Sequence, residues 1–444
     1  MNDYYQKIAA FLKSSNLDAF PSSAVLEAKR SILDTIGCMI AGMDTPLGHG
    51  VRKLAERFKD QNGTRVLGMT SPAVPFAAAM ANSYMANAHD ADDGHRRSRL
   101  HAGGIIIPAA LAAAQENNSS GREFLEAIIV GFELGYRAGM VTTGWDAYHG
   151  SAMGSTFGAA AAAGRLMGLP PDEIINAMGI AEMQAPNCML MGWVKARNAP
   201  MIKEGMGWSA ASGLMSAYMA QSGIRGTLTI FNGADDLSDI DTLGKAFEVE
   251  RHYFKPHPGC RWSQVPLQTL QALMADHDIA VGNIREVTVQ ANSHAAYLDN
   301  PRPSTMDNAQ YSIPFVMAAA LVDGAFGPEQ MQPDKLADPD ILDMARRIHI
   351  VPEPAFDKGY PATLKARVQV ALNTGTTVSA MGGRIRGDDN FPLSDAEIKE
   401  KFVWMSSNRL DPDQARAVMD AVWTLETHAD MAGIMEMLFV LCGD

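Results

Sequence analysis

Apolar residues recur at helical spacing through the first half of the chain, and at about Phe247 the pattern changes. From Pro21 to Gly42, Val25, Ile32, Leu33, Ile36, Met39 and Ile40 follow a Pro-Ser-Ser start suited to a helix N-terminus, which predicts a core helix. Val51 to Phe58 predicts a second amphipathic helix and Thr64 to Leu67 a short extended piece. Val74 to Ala88 is apolar nearly all round, and a helix without a polar face is an interior one. Ile105 to Gln115, Arg122 to Met140, Ser151 to Met167, Pro171 to Met183 and Met201 to Ser222 continue the helical pattern between Gly, Pro and Ser-Asn breaks. Five alanines between Gly158 and Gly164 are small enough for close helix packing, and they are also simply good helix sequence.

Beyond Phe247, Ile284 to Val289, Ile348 to Val351, Thr363 to Val370 and Thr376 to Ile385 alternate or are rich in β-branched residues, which predicts strands. Asn373, Thr374 and Gly375 suit a hairpin between the last two. Helices at Trp262 to Ala275 and Tyr311 to Leu321 make this region α+β. Helical patterning returns at Asp395 to Met405, Asp411 to Trp423 and Met431 to Leu441. The expected fold is mainly α: a large all-helical domain over 1–246, a smaller α+β lid domain over 247–393, and C-terminal helices over 394–444 packing back on the first. A length of 444 residues fits two or three domains.

Composition narrows the chemistry. With 47% apolar and 20% charged residues the chain is of ordinary globular type. A formal charge of -13 argues against nucleic acid, so an anionic ligand must be met by local cations. Cys38, Cys188, Cys260 and Cys442 form no CxxC pair, which excludes zinc-knuckle and iron–sulfur spacing and points to a reduced, cytoplasmic protein. No signal-type leader and no apolar run of roughly 18 residues is present, so neither secretion nor membrane spanning is expected.

The densest chemistry lies from Asn87 to Pro108, where His89, His95 and His101, Asp90, Asp92 and Asp93, and Arg96, Arg97 and Arg99 stand between apolar segments. A solvated interhelical turn is the plain alternative. The acidic run fails as an EF-hand, because positions six and twelve counted from Asp90 are His95 and His101 instead of Gly and Glu. Four further stretches put reactive groups beside rigid or apolar sequence. Tyr148 and His149 precede an Ala-rich helix whose Gly-Ser start could bind an anion. Lys203 precedes a glycine-rich helix start, where it would be a base with lowered pKa or a carboxylate clamp. Lys255, His257 and Arg261 share a Pro- and Gly-punctuated loop at the domain boundary, and NAQYSIPF follows at 308–315. Singly, His149 or Lys203 reads more readily as a structural or surface group. Together they suit a pocket for a small polycarboxylate, in which a base removes an α-proton and cations stabilise the enediolate.

ILDTIGCMIAG, NAHDADD with its following IIIPAALAAA, HGSAMGSTFGAAAAAGRLMGL, IKEGMGWSAASG, YFKPHPGCRWS and AQYSIPF before AALVDG occur in an order that resembles the MmgE/PrpD family over essentially the whole chain. The resemblance implies a homodimer, an active site at the domain junction, and no metal or organic cofactor. Carried over, it implies Asp90, His101, His149 and Lys203 as catalytic residues, with Lys203 or His149 the base and His101 the proton donor. Arg261, Lys255, His257, Gln264 and Tyr148 are the expected substrate-binding residues. The implied activity is a dehydratase-like lyase of a small di- or tricarboxylate. An epimerase, isomerase or decarboxylase of a similar acid, or a binding protein without turnover, are the alternatives. Four positions depart from the family's usual pattern: Gln264 for His, Phe315 for Tyr, Gly94 for Thr and Ala102 for Pro. Gln exchanges no proton at neutral pH and Phe has no hydroxyl, so an acid/base group and a hydrogen bond are missing; His257 is the nearby substitute.

Overall fold

A computed structural model of the protein describes residues 3–141, 152–188, 190–232 and 236–441. The fold is mainly α with a small mixed sheet. Two apolar cores organise it. One is drawn from Tyr4 through Phe254 and again from Leu393 through Leu438. The other is drawn from Trp262 through Ile385, joined by Leu190, Met191 and Val194. That last trio belongs to the first half of the sequence, but its short helix, Leu190–Lys195, buries its apolar side in the second core.

Most elements fall where the periodicity puts them. Ser22–Gly42, Pro75–Ala86, Gly103–Glu116, Gly121–Met140, Ala152–Leu166, Pro171–Gln184 and Met206–Gln221 form the helical body. Ser22–Gly42 and Pro75–Ala86 touch so closely that a Cβ at Gly42 would stand 2.0 Å from the Met85 carbonyl oxygen. Only glycine fits there. Two local readings are displaced and one helix is additional. The first strand is Lys59–Thr64, bridged to Ala73 at both ends, ahead of the expected Thr64 to Leu67. The helix expected from Met201 begins at Met206, because Lys203 (φ 43°) and Gly205 (φ 78°) are left-handed and break the turn before it. An N-terminal helix, Asp3–Ser14, buries Tyr4, Ile8, Phe11 and Leu12 and was not anticipated.

In the second core the strand Ile284–Ala291 pairs in parallel with Ile348–Pro352 and antiparallel with Ala366–Leu372, which in turn pairs antiparallel with Thr377–Gly382. Leu372 accepts from Gly375 N–H at 3.0 Å and donates to Thr376 at 2.8 Å, closing the expected hairpin with Gly375 at φ 89°. Val287, Val289, Val368 and Val370 are fully buried in one core with residues of the helices Arg261–Asp276 and Ile313–Asp323. Asp395–Ser406 returns to lie on Ser22–Gly42. Among the described residues, no helix is long and apolar enough to cross a membrane.

Candidate active site

The helix Pro75–Ala86 ends at Asn87 and Gly103–Glu116 carries the chain away; the stretch between them is interior, not a solvated turn. His89, Asp90, Asp92, Asp93 and His95 are each 3% exposed or less. Buried backbone oxygens must be paired, and here the partners come from distant segments. Lys203 Nζ donates to the carbonyls of Asn87 and Ala88, Gln310 to Ala88, and Gly259 N–H to His89 and Asp90. Lys255 Nζ donates to the Asp90 carbonyl at 2.8 Å, and Lys401 Nζ to Ala91 at 2.6 Å.

Asp90 sits at the centre with a left-handed backbone (φ 52°), a conformation that aspartate adopts more readily than most non-glycine residues. Its Oδ1 lies 2.6 Å from Lys255 Nζ. Burial alone would push the Asp90 carboxyl up, but Lys255, with Lys203 and His101, outweighs it and holds the group below the usual carboxylate range. The lysines respond oppositely. Burial lowers Lys203, with Asp90 and Asp307 opposing. Burial also acts to lower Lys255, but Asp90 and Asp92 prevail and hold it raised.

His101 Nδ1 lies 2.8 Å from the Asp93 carbonyl oxygen. A carbonyl only accepts, so Nδ1 carries the proton and Nε2 is the atom left to exchange. Among the described residues Nε2 has no hydrogen-bond partner. Asp93 itself accepts from Ser31 Oγ and from Gly103 N–H at 2.9 Å. Burial first, then Asp34 and Asp92, push its carboxyl up to about 7 against those donors. His95 is fixed by Ser98 at 2.8 Å and Glu248 at 3.1 Å, and stacks on Tyr136. One ligand atom each from Asp90, Asp92 and His101 fall within 4.8 Å of one another, but the Lys255 ammonium already neutralises Asp90, so a divalent ion would meet a cation at the first ligand.

These groups front a cavity of about 690 Å³ that opens to solvent. Asp90, His95, Arg96, Arg99 and His101 make one wall. Cys260, Arg261, Trp262, Tyr311 and Tyr360 also line it, with Leu190, Val194 and Leu364 as its apolar part. Arg261 is held in a bidentate pair with Asp388 (2.6 and 2.9 Å) and stacks 4.1 Å over the Tyr253 ring. Tyr253 in turn lies over Gly94, to which its two-residue strand pairs. A Cβ at Gly94 would be 2.3 Å from the tyrosine ring, which explains why this chain lacks a threonine there.

Of the residues expected from sequence, Asp90, His101 and Arg261 line the cavity. Lys203 and Lys255 stand behind Asp90 and are not on the wall. His257 and Gln264 are joined to each other, Gln264 Nε2 donating to the His257 carbonyl at 2.9 Å, and neither reaches the wall. Burial first, then Lys401, pushes the His257 ring down to about 4. Phe315 is fully buried in the second apolar core. Tyr148 and His149 lie outside the described residues. Of the three arginines in that stretch, Arg97 is a brace, paired with Asp239 and Glu248, while Arg96 lines the cavity and pairs with Asp389. Arg99 is a wall residue. Sequence reading also passed over Glu204, Tyr253, Tyr311 and Tyr360. The first three lie inside motifs already singled out, whereas nothing around Tyr360 marks it.

A water-accessible cleft in which an imidazole with one unbonded ring nitrogen shares the lining with arginines and phenols, with a neutralised carboxylate beside it, is the site of an enzyme handling a small polar molecule. The sequence matches the MmgE/PrpD N-terminal domain over residues 6–250 and the MmgE/PrpD C-terminal domain over 257–426, and the chain belongs to the MmgE/PrpD family of enzymes. Similar proteins include the cis-aconitate decarboxylase-like protein oryM of Aspergillus oryzae, 29% identical over 96% of this chain and 95% of that one. Cis-aconitate decarboxylase of Aspergillus terreus is 28% identical over 96% and 94% of the two chains. The Mus musculus cis-aconitate decarboxylase is 22% identical over 98% and 93%.

Proposed function

We propose that the chain is a cofactor-independent lyase of a small di- or tricarboxylate, in which His101 Nε2 exchanges the proton. The tautomer carries the reading: with Nδ1 committed to the Asp93 carbonyl, the imidazole presents one exchangeable position beside Asp90 and the wall arginines. Arg99 and Arg261 would receive substrate carboxylates. Lys255 and Lys203 serve Asp90 and the loop carbonyls, so they shape the site instead of reacting. A homodimer and a cytoplasmic location complete the proposal, on the family resemblance.

Decarboxylation is the preferred reaction, since it asks for one proton delivery. The C–C bond to a carboxylate breaks, CO2 leaves, and the electron pair spreads into a conjugated carboxylate held by arginine. Protonated His101 then gives its Nε2 proton to carbon, and solvent restores it. The names of the relatives support this reading. Dehydration needs a base at the α-carbon and an acid at the departing hydroxyl; His149 is the second group it would use.

Purified protein incubated with cis-aconitate, citrate and related acids should release CO2 from an unsaturated member. His101→Gln should lower kcat by about 10²- to 10⁴-fold with little change in KM. Water loss without CO2 selects dehydration. An absence of CO2 release, water loss and α-proton exchange across the panel sinks the proposal.

A further inference from the structure

Helix Asp395–Ser406 approaches Ser22–Gly42 so closely that a Cβ at Gly37 would lie 3.1 Å from the Phe402 ring. Between the two helices run Asp34 and Lys401, 3% and 6% exposed. Lys401 Nζ stands 2.6 Å from Asp34 Oδ1 and also donates to the Ala91 carbonyl at 2.6 Å. An ion pair that served only to join two helices would have no need of that third contact. Ala91 separates Asp90 from Asp92, and both carboxylates lie within 4.8 Å of a His101 ring nitrogen.

Fixing the Ala91 carbonyl fixes the peptide plane between Ala91 and Asp92. That plane lies one residue beyond the left-handed Asp90 and carries Asp92, so its rotation moves the Asp92 carboxylate against Asp90 and against the imidazole. Lys203, Gln310, Gly259 and Lys255 hold the carbonyls from Asn87 to Asp90; Lys401 holds the next one, from the C-terminal segment. Ala91 itself packs in a small cluster with Cys38 and Met405, with Ala41 and Trp404 against it.

We propose that Lys401, oriented by Asp34, is a positioning residue for the reaction: it sets the placement of Asp90 and Asp92 relative to His101 by gripping the Ala91 carbonyl. The proposal rests on the reading of Asp90 and His101 as site residues.

Two double variants of equal charge isolate the donor. Asp34→Asn/Lys401→Met removes both charges, leaving no lone buried ion, and deletes the donor. Asp34→Asn/Lys401→Gln keeps an amide donor of shorter reach. The Met variant should lose about 10- to 100-fold in kcat with KM within about threefold, since small misplacements near the chemistry cost on that order. The His101 ring titration, followed by NMR against its Asp90, Asp92 and Tyr253 neighbours, should shift. The Gln variant should recover part of both. A folded Met variant with wild-type kcat and an unshifted titration overturns the proposal. If the Met variant does not fold, the Gln variant decides: reduced kcat supports the proposal and full wild-type behaviour overturns it. If the wild type turns over no polycarboxylate, the lyase reading fails, and the His101 titration still tests the positioning.

Discussion

Lys255 Nζ meets Asp90 twice, at 2.6 Å from Oδ1 and 2.8 Å from the carbonyl oxygen, so one buried ammonium fixes both the side chain and the left-handed backbone of a cavity residue. Both side chains are almost wholly buried, at 1% and 4% exposed, so removing one leaves the other a poorly solvated charge.

Lys255→Met should therefore cost about 3–5 kcal/mol near neutral pH, read by chemical denaturation. In the wild type the depressed Asp90 adds stability that is present above the unfolded carboxyl value of about 3.9 and is lost as pH falls through the folded value. The raised Lys255 adds stability that is full below about 10.4 and fades as pH rises through its folded value. In Lys255→Met the uncompensated carboxyl is driven toward its neutral form, so the gap between variant and wild type should narrow as pH is lowered. A pH-independent gap would contradict the pairing.

Asp93 behaves in the opposite sense. Its folded carboxyl, pushed up to about 7 by burial and the neighbouring Asp34 and Asp92, holds its proton where the unfolded chain has lost it. The stability this gives is complete below about 3.9 and drains away as pH rises through about 7. Asp93→Asn stays neutral throughout. Its melting temperature relative to wild type should rise between about pH 5 and 8. Ser31 can turn its hydroxyl to suit the amide, so the comparison stays fair at the low end.

Arg261→Lys keeps the charge but loses the fork on Asp388 and the stacking over Tyr253. If the guanidinium binds substrate and transition state alike, KM should rise about tenfold with kcat nearly unchanged. Steady-state kinetics at saturating and limiting substrate separate the two. A matching fall in kcat would place Arg261 at the reacting carboxylate.

Gly94→Thr would install the residue usual in the family, where a Cβ meets the Tyr253 ring at 2.3 Å. Overpacking of this kind costs about 1–3 kcal/mol. The ring should shift off Arg261, so a thermal melt should report the loss and tyrosine fluorescence the displacement. Adding Tyr253→Phe should not relieve it, because Cζ is as close as Oη.

The helical body was legible because apolar spacing is a local property: Pro75–Ala86 and Gly103–Glu116 lack polar faces and had to be interior. Asp90, His101 and Arg261 were legible from motifs that concentrate charge beside apolar helix. What was not legible depends on long-range contact. Nothing in Lys401 or Asp34 as isolated residues of two helices says that they meet under Ala91. Tyr360, from a loop between strands, reaches the cavity only because the second core packs against the first.

The sequence by itself determined the mainly helical fold, the family, and the charge-dense stretch as the place to look, since periodicity and motif order survive without coordinates. Only the tertiary structure decided which charges face the cavity and which are spent behind it. Lys203, Lys255 and His257 are of proton-exchanging types like His101, but the two ammonium groups are taken by buried carbonyls and by Asp90, and the His257 ring lies off the cavity wall. In an interior without water every donor must find a partner, and that requirement, set by atoms remote in the chain, sorts wall residues from supports.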